Sequence, residues 1–140
     1  MALLRAHEAV MRKFLPALKQ HGLTAQQWRV IRALVEAEEL DISEIAERCS
    51  LLMPSLSRIL PNLQDRKIIK RRAATDDQRR SMVSLTDKGR ELFVALSPIN
   101  EARYRHITDR FGYGKLELLY ELLDELVQDL DEDKQGKLTP

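Results

Sequence analysis

The segment from Asp41 to Thr86 constrains the fold of this chain most, because it contains two short helical patterns followed by two strand patterns. Ser43 is a candidate N-cap of the first helix, after which small and apolar residues recur at helical spacing. Residues 49–52 interrupt this period. Pro54 then occupies a position that suits the first turn of a second helix, where the missing N–H of proline costs little. The pattern therefore predicts two helices joined by a tight turn.

The second helix is predicted to bury one apolar stripe and to present polar side chains on its other faces. The stripe consists of Leu56, Ile59, Leu60 and Leu63, and the polar set of Ser55, Ser57, Arg58 and Asn62. Short hydroxyls and an arginine suit the major groove of DNA, where arginine chelates a guanine edge and serine reaches a base or a phosphate. An ordinary amphipathic helix with a solvated polar face is the alternative interpretation.

Two short strands are predicted next, at residues 68–72 and 81–85, because both segments are rich in β-branched residues and alternate in polarity. Turn-forming residues fill the loop between them, so the strands form a hairpin. Helix, turn, helix and hairpin in this order make a winged helix-turn-helix, in which the hairpin is the wing. Basic residues concentrate here although the net charge is only +1, which indicates a phosphate partner. They are Arg66, Lys67, Lys70, Arg71, Arg72, Arg79 and Arg80.

Four further helices are predicted around this segment, so the fold class is mainly α with a small β-hairpin (α+β). They cover residues 3–20, 25–37 after the N-cap Thr24, 87–111 after the N-cap Thr86, and 115–130. No stretch approaches the roughly 20 apolar residues that cross a bilayer, and charges interrupt the N-terminal segment where a signal peptide needs an apolar core. The one cysteine cannot form an internal disulfide. We therefore expect a cytoplasmic protein without a membrane partner.

The last helix carries more apolar side chains than a terminal helix can bury against its own small domain. These are Leu116, Leu118, Leu119, Tyr120, Leu122, Leu123, Leu126, Val127 and Leu130. An exposed patch of this size would aggregate, so we expect the first, fifth and sixth helices to bury one another across a symmetric homodimer. Residues 1–22 and 87–140 would form the helical dimerisation region, and residues 23–86 the winged helix-turn-helix lobe. A monomer capped by these helices is the alternative.

Catalysis is not expected. The three histidines, His7, His21 and His106, show no metal-binding spacing. The chain also lacks the nucleophile-elbow, phosphate-loop and dinucleotide-binding glycine motifs. We therefore predict no catalytic residue, no metal and no cofactor. Cys49 lies in the turn before the second helix of the pair, where a small buried residue is expected, and a redox-sensing role is the alternative for it.

Sequence motifs in two helices and in the wing follow one another in a fixed order, within a pattern that spans about residues 3 to 132. The wing has the spacing D-x-R-x(5)-L-T-x-x-G at Asp77, Arg79, Leu85, Thr86 and Gly89. The two upstream motifs are Leu23-Thr24-x(3)-Trp28-x-Val30-Ile31-x-x-Leu34 and Pro54-Ser55-Leu56-Ser57-Arg58. In these motifs the chain resembles the MarR family of transcriptional regulators. Residues 5–11, 21–24 and 27–30 are similar to the branch that represses homoprotocatechuate (4-hydroxyphenylacetate) degradation operons.

The resemblance implies DNA-binding roles for the second helix of the pair, which is the recognition helix, and for the wing. The residues that would meet bases and phosphates in the major groove are Pro54, Ser55, Ser57 and Arg58. Arg79 at the wing tip would enter the minor groove, with Asp77 fixing its guanidinium; the alternative for Asp77 is a simple turn former. Asn62, Arg72 and Arg80 complete the predicted set. The expected partner is double-stranded DNA with a pseudo-palindromic operator.

Two residues depart from the family pattern in the recognition helix. Lys67 stands where the family usually has glycine after this helix, so a left-handed cap there would cost about 1 kcal/mol. Pro61 removes the hydrogen bond to the carbonyl of Ser57 and crowds it, at about 3 kcal/mol in a regular helix. We therefore expect a bend or a distortion behind Ser57 and Arg58.

The resemblance also implies a small phenolic or aromatic carboxylate effector, held in a crevice between the dimer helices and the DNA-binding lobe. The candidate effector-binding residues are Arg5, His7, Met11, Phe14, Trp28 and Arg29. The leading hypothesis is a repressor of an aromatic-acid catabolic operon that a phenolic effector releases. The alternatives are a redox-responsive regulator that uses Cys49 and a winged-helix protein-interaction module that does not bind DNA.

Overall fold

The computed structural model describes residues 1–135, which form six helices and three short strands. In chain order these are α1 (Ala2–Gln20), α2 (Ala25–Ala37), β1 (Glu39–Asp41), α3 (Ile42–Cys49), α4 (Met53–Asp65), β2 (Ile69–Ala73), β3 (Ser81–Leu85), α5 (Asp87–Phe111) and α6 (Tyr113–Gln135). This confirms the predicted fold class. The chain divides into two compact units, Met1–Asn100 and a second unit that begins at Glu101.

Two of the three predicted N-caps are confirmed. The Oγ1 of Thr24 accepts from the N–H of Gln27 at 3.1 Å, while the Thr24 N–H donates to Gln27 Oε1 at 3.0 Å, which forms a reciprocal capping box. The N–H of Gly89 donates to Thr86 Oγ1 at 3.1 Å. The prediction of Ser43 as the cap of α3 is wrong. That helix begins earlier, at Ile42, so Asp41 precedes it and accepts from the N–H of Glu44 at 2.8 Å.

The small sheet is antiparallel, with strand order β1-β3-β2. The hairpin of β2 and β3 confirms the wing, with Ile69 opposite Leu85 and Ala73 opposite Ser81. Strand β1, whose Glu39 pairs with Ser84, was not predicted. The strand is only three residues long, so its own sequence carries no recognisable alternation. Its pairing is visible only in the folded structure.

The core of the first unit lies between α2, α3, α4 and the sheet. Its fully buried side chains include Ile31, Leu34, Ile45, Leu56 and Leu63. Helix α1 contributes Leu18 and α5 contributes Leu96 to the same core. The rings of Trp28 and Phe93 stack at a centroid distance of 5.5 Å, which fixes α2 against the start of α5.

The C-terminus of α4 forms a Schellman motif around Lys67. The N–H of Ile68 donates to the carbonyl of Leu63 at 2.9 Å, and the N–H of Lys67 donates to the carbonyl of Gln64 at 2.9 Å. Lys67 has φ 60, the left-handed conformation that glycine adopts most easily. The left-handed cap therefore forms where the family usually has glycine, and Lys67 is strained in it. Helix α4 continues through Pro61 to Asp65.

The second unit contains the end of α5 and all of α6. Gly112, with φ 106, separates the two helices. Helix α6 begins two residues before the predicted Lys115 and extends past the predicted end at Leu130. None of its described side chains, residues 113–132, is buried. No helix in the described part of the chain is both long and apolar enough to span a membrane.

Candidate nucleic-acid interface

The first two turns of α4 present a small polar surface to solvent. Pro54 lies in the first turn, and Ser55 beside it is half-buried. The hydroxyl of Ser57 donates to the carbonyl of Met53 at 3.0 Å, so its oxygen still offers lone pairs outward. Arg58 is exposed, and its guanidinium has no hydrogen bond or ion pair within residues 1–135. These four predicted DNA-binding residues therefore lie together on one exposed end of a helix.

Asn62 lies one turn farther along α4 and is held from behind. Its Oδ1 accepts from Nε2 of Gln27 at 3.0 Å, and Gln27 is itself buried and part of the α2 capping box. The carbonyl of this amide is therefore committed to an internal contact, while its NH₂ group still has donors for a partner. Asn62 is therefore exposed to solvent and also connects the recognition helix to α2.

The wing tip is organised by Asp77, but not in the way that the sequence predicted. Its Oδ1 accepts from the backbone N–H of Arg79 at 2.9 Å, and its carbonyl accepts from the N–H of Arg80 at 3.1 Å. The predicted contact between Asp77 and the guanidinium of Arg79 is wrong, because the carboxylate closes the turn instead. The guanidinium of Arg79 is exposed and makes no ion pair with any residue of the described chain.

Arg72 and Arg80, both predicted to bind DNA, form ion pairs with carboxylates of β1. Nε of Arg72 donates to Oε2 of Glu39 at 2.9 Å in a two-bond contact. Nε of Arg80 donates to Asp41 at 2.9 Å. The hydrogen bond from Arg72 lowers the pKa of Glu39. The pKa of Asp41 is also lowered, mainly by the backbone N–H of Glu44 and then by Arg80.

These pairs neutralise the loop end of the hairpin, where Arg72 lies opposite Met82, and Arg80 also fastens this end to α3. Arg80 also approaches Asp76 at 3.2 Å and Glu44 at 3.8 Å. Arg79, in the loop beyond these pairs, keeps an exposed charge. This difference between the arginines could not be predicted from the sequence, because Glu39 and Asp41 lie far from Arg72 and Arg80 along the chain.

The other end of α4 is fastened to the turn that follows α1. Nη1 of Arg66 donates to the carbonyl of Gly22 at 2.7 Å, and the carbonyl of Arg66 accepts from Nζ of Lys88 at 2.9 Å. Gly22 has φ 67, and a Cβ there would lie 3.2 Å from the guanidinium of Arg66. Glycine thus permits both the turn and the close approach. Arg66 was predicted to be one of the phosphate-binding cations, whereas its side chain holds the end of the recognition helix against the turn at Gly22.

The six candidate effector-binding residues separate into three groups. Phe14 and Trp28 are buried and Met11 is half-buried, whereas Arg5 and His7 are exposed near the start of α1. Arg29 points to α3 instead, where its Nη1 donates to the carbonyl of Cys49 at 2.8 Å. The structure therefore places Arg29 against the end of α3, so it does not support the prediction that Arg29 binds the effector.

Cys49 has the environment of a core residue. It is 4% exposed, and its thiol donates to the carbonyl of Arg29 at 3.5 Å. Burial raises the pKa of the thiol, against the opposing effect of Arg29 and Arg48. Because the thiolate is the reactive form, this environment disfavours the redox hypothesis.

Comparison with known proteins gives the family. Residues 21–80 match the family model described as MarR family. The homoprotocatechuate degradative operon repressor of Escherichia coli is 38% identical over 126 residues, which are 90% of this chain and 85% of that protein. The chain belongs to the MarR family of transcriptional regulators. As expected from the sequence, its relatives are regulators and not enzymes.

Solved structures of this family share the fold. The transcriptional regulator PA4135 superposes with a TM-score of 0.85 and 46% identity, covering 91% of this chain and 93% of that one. NadR in complex with 4-hydroxyphenylacetate gives 0.78 and 38%, with 89% of each chain covered. The repressor CouR, bound to a 23-mer DNA duplex, gives 0.83 and 27%, covering 90% of this chain and 89% of CouR.

Proposed function

We propose that this MarR-family protein is a dimeric repressor that binds a pseudo-palindromic operator through α4 and the wing tip. One observation carries the proposal: Arg58 and Arg79 are exposed cations that have no partner within residues 1–135, and they lie on the two elements that a winged helix inserts into DNA. Arg58 would read a guanine edge in the major groove, and Arg79 would enter the adjacent minor groove. The relative CouR has been solved with a DNA duplex, which supports this assignment.

A second copy of the chain is the proposed cover for α6. Leu118, Leu122, Leu126 and Leu130 recur every fourth residue on this helix and are 43–57% exposed. None of the described side chains of this helix, residues 113–132, is buried, so such a stripe needs a partner surface. A two-fold dimer would also present two recognition helices to an operator. In this proposal residues 1–22 and 87–140 form the dimerisation region, and residues 23–86 form the DNA-binding lobe.

The proposed signal is a phenolic acid of the 4-hydroxyphenylacetate or homoprotocatechuate type, and the proposed target is an operon for its catabolism. The similarity to a repressor of such an operon and to NadR, which was solved with 4-hydroxyphenylacetate, supports this class. Met11, Phe14 and Trp28 would supply the apolar wall, and Arg5 or His7 of α1 the polar contact. The effector would favour a spacing of the two lobes that no longer fits major grooves about 34 Å apart.

Selection from a pool of randomised duplexes tests the DNA-binding part. We expect a two-fold symmetric sequence to be enriched, and its affinity to fall steeply as salt increases. Arg79→Ala should weaken binding to all duplexes. Arg58→Ala should cost about 1–3 kcal/mol and relax the preference at one base pair of each half-site. The matched control is Arg105→Ala, which removes an exposed arginine from the second unit. Equal affinity for all four proteins would contradict this docking, and no salt-dependent binding would favour a protein-interaction module.

Thermal unfolding with a panel of phenolic acids tests the effector. A ligand that binds the folded protein raises its melting temperature by mass action, so 4-hydroxyphenylacetate should raise it and should also reduce the affinity for the selected operator. Phenylacetate, which lacks the hydroxyl, is the control and should act more weakly. A panel without any shift would contradict the phenolic effector and leave the DNA-binding part intact.

A further inference from the structure

Two exposed apolar side chains mark the start of the recognition helix. Leu52 is 76% exposed and Met53 is 49% exposed. Within residues 23–86, all of which the structure describes, no other large apolar side chain is exposed. The other exposed large apolar side chains of the described chain lie at Met1 and on α1, α5 and α6, the helices of the proposed dimer interface. That interface does not include Leu52 or Met53, so these two residues call for a different partner.

Leucine is an unusual residue at the start of a helix. Leu52 is the N-cap of α4, and its side chain makes no capping hydrogen bond. Serine, threonine, aspartate and asparagine are preferred at an N-cap because their oxygens accept from N–H groups of the first turn, which leucine cannot do. Residues that break such a local rule are expected at functional sites. An apolar side chain that neither caps its helix nor packs into the core is therefore a candidate binding residue.

The position of the two side chains indicates their partner. A recognition helix meets base edges with the residues at its N-terminal end, and α4 begins at Met53 directly after Leu52. The hydroxyl of Ser57 donates to the carbonyl of Met53, so the apolar pair adjoins the polar surface that also carries Arg58. The apolar feature by which the major groove distinguishes one base from the others is the C5-methyl group of thymine. An exposed leucine at this end of the helix suits that methyl group.

We infer that Leu52 contacts the C5-methyl group of a thymine in each half-site of the operator, with Met53 shielding the contact from water. This inference rests on the proposed function, to which it adds a second base and the residue that reads it. Arg58 lies six residues after Leu52, about 9 Å along the helix, so the thymine should lie within about three base pairs of the guanine that Arg58 reads. Arg58 would then select a base by hydrogen bonds, and Leu52 by an apolar contact.

Replacing thymine by deoxyuridine tests the contact, because it removes the methyl group and keeps every hydrogen-bonding group of the base pair. The selected operator is synthesised with deoxyuridine at one symmetric pair of thymines at a time, and the affinity of the full-length protein is measured. Burying one methyl group gains about fourfold in affinity, so the decisive replacement in both half-sites should weaken wild-type binding about fifteenfold.

Variants of the recognition helix assign this preference to its residue. Leu52→Ser should bind the operator and its deoxyuridine form with nearly equal affinity, whereas Leu52→Ile keeps the apolar contact and should keep the preference for thymine. The matched control is Gln64→Ala, which removes an exposed side chain near the other end of α4 and should also keep the preference. Because serine can cap the helix, Leu52→Ser should melt at or above the temperature of the wild type.

Three results would overturn the inference. Equal wild-type affinity for the operator and all its deoxyuridine forms, while Arg58→Ala and Arg79→Ala still weaken binding, would refute the methyl contact and leave the proposed function standing. A thymine preference that persists in Leu52→Ser would show that another residue reads the methyl group. A wild-type protein that binds no duplex would overturn both proposals.

Discussion

Replacing Lys67 by glycine should stabilise the protein. Lys67 follows α4 with φ 60, and the two hydrogen bonds of its Schellman motif use only backbone atoms. Its carbonyl also accepts from the hydroxyl of Thr86 at 2.6 Å, and a glycine would keep that bond. The side chain is exposed, so its removal opens no cavity.

The magnitude follows from two opposing effects. A residue with a Cβ pays about 1–2 kcal/mol for the left-handed conformation. Glycine removes that cost but loses more backbone entropy on folding, by about 0.5–1 kcal/mol relative to alanine. The net gain in the free energy of unfolding is therefore about 0.5–1 kcal/mol, which corresponds to a rise in melting temperature of roughly 2–5 °C for a chain of this size.

The assay is thermal and urea unfolding of the wild type, Lys67→Gly and Lys67→Ala. The alanine variant loses the same positive charge and keeps the Cβ, so the difference between the two variants measures the backbone strain less the extra entropy that glycine loses on folding. If Lys67→Gly were no more stable than Lys67→Ala, the strain would not exceed that entropy and the predicted net gain would be refuted. The same pair of variants also shows whether the cation at this position contributes to DNA affinity, because both lack it.

Three other predictions concern stability and assembly. Because the pKa of Asp41 is lowered by the N–H of Glu44, its charged form is favoured by folding. The wild type should therefore be more stable than Asp41→Asn at pH values above 3.8, the ordinary pKa of an aspartate. This difference in melting temperature, measured as a function of pH, should disappear as the pH falls through the lower pKa that Asp41 has in the folded protein. Asn100 is 6% exposed, and neither polar atom of its amide has a hydrogen-bond partner within the described part of the chain. Asn100→Leu should therefore raise the free energy of unfolding by about 1–3 kcal/mol. A decrease would mean that the amide has a hydrogen-bond partner in the folded protein. Leu126→Glu should convert the dimer to a monomer in light scattering, whereas Gln128→Glu, which adds the same charge beside the stripe, should not.

Local sequence signals predicted the elements that depend on local interactions. The α2 capping box needs only Thr24 and Gln27, which are three residues apart, and the strand boundaries of the wing were correct to within one residue. The cap of α3 failed because Asp41 and Ser43 are both good capping residues, and the choice depends on where β1 ends. That strand exists only through its pairing with β3, which is a contact between distant parts of the chain.

The candidate site shows the same limit. Arg58 and Arg79 were correctly predicted to be exposed. The exposure of an arginine on the polar face of a helix or at the tip of a hairpin follows from its position within that element. The roles of Arg72 and Arg66 were not predictable, since they depend on Glu39 and on the turn at Gly22, both far away in sequence. Charge composition showed how many cations the wing region has, but only the folded structure distinguishes those that are already paired.

The pairing of β1 with β3 has a consequence for the order of folding. It joins the residues just before α3 to the last strand of the wing, so the whole helix-turn-helix lies inside the loop that this contact closes. Closing a long loop costs entropy before the contact is gained, and distant pairings form slowly. We therefore expect the helices of the lobe to form early and the wing to lock late, so that amide hydrogens of β1 exchange with solvent before those of α2 and α4. A nascent or partly unfolded protein would then have its recognition helix before it has a fixed wing.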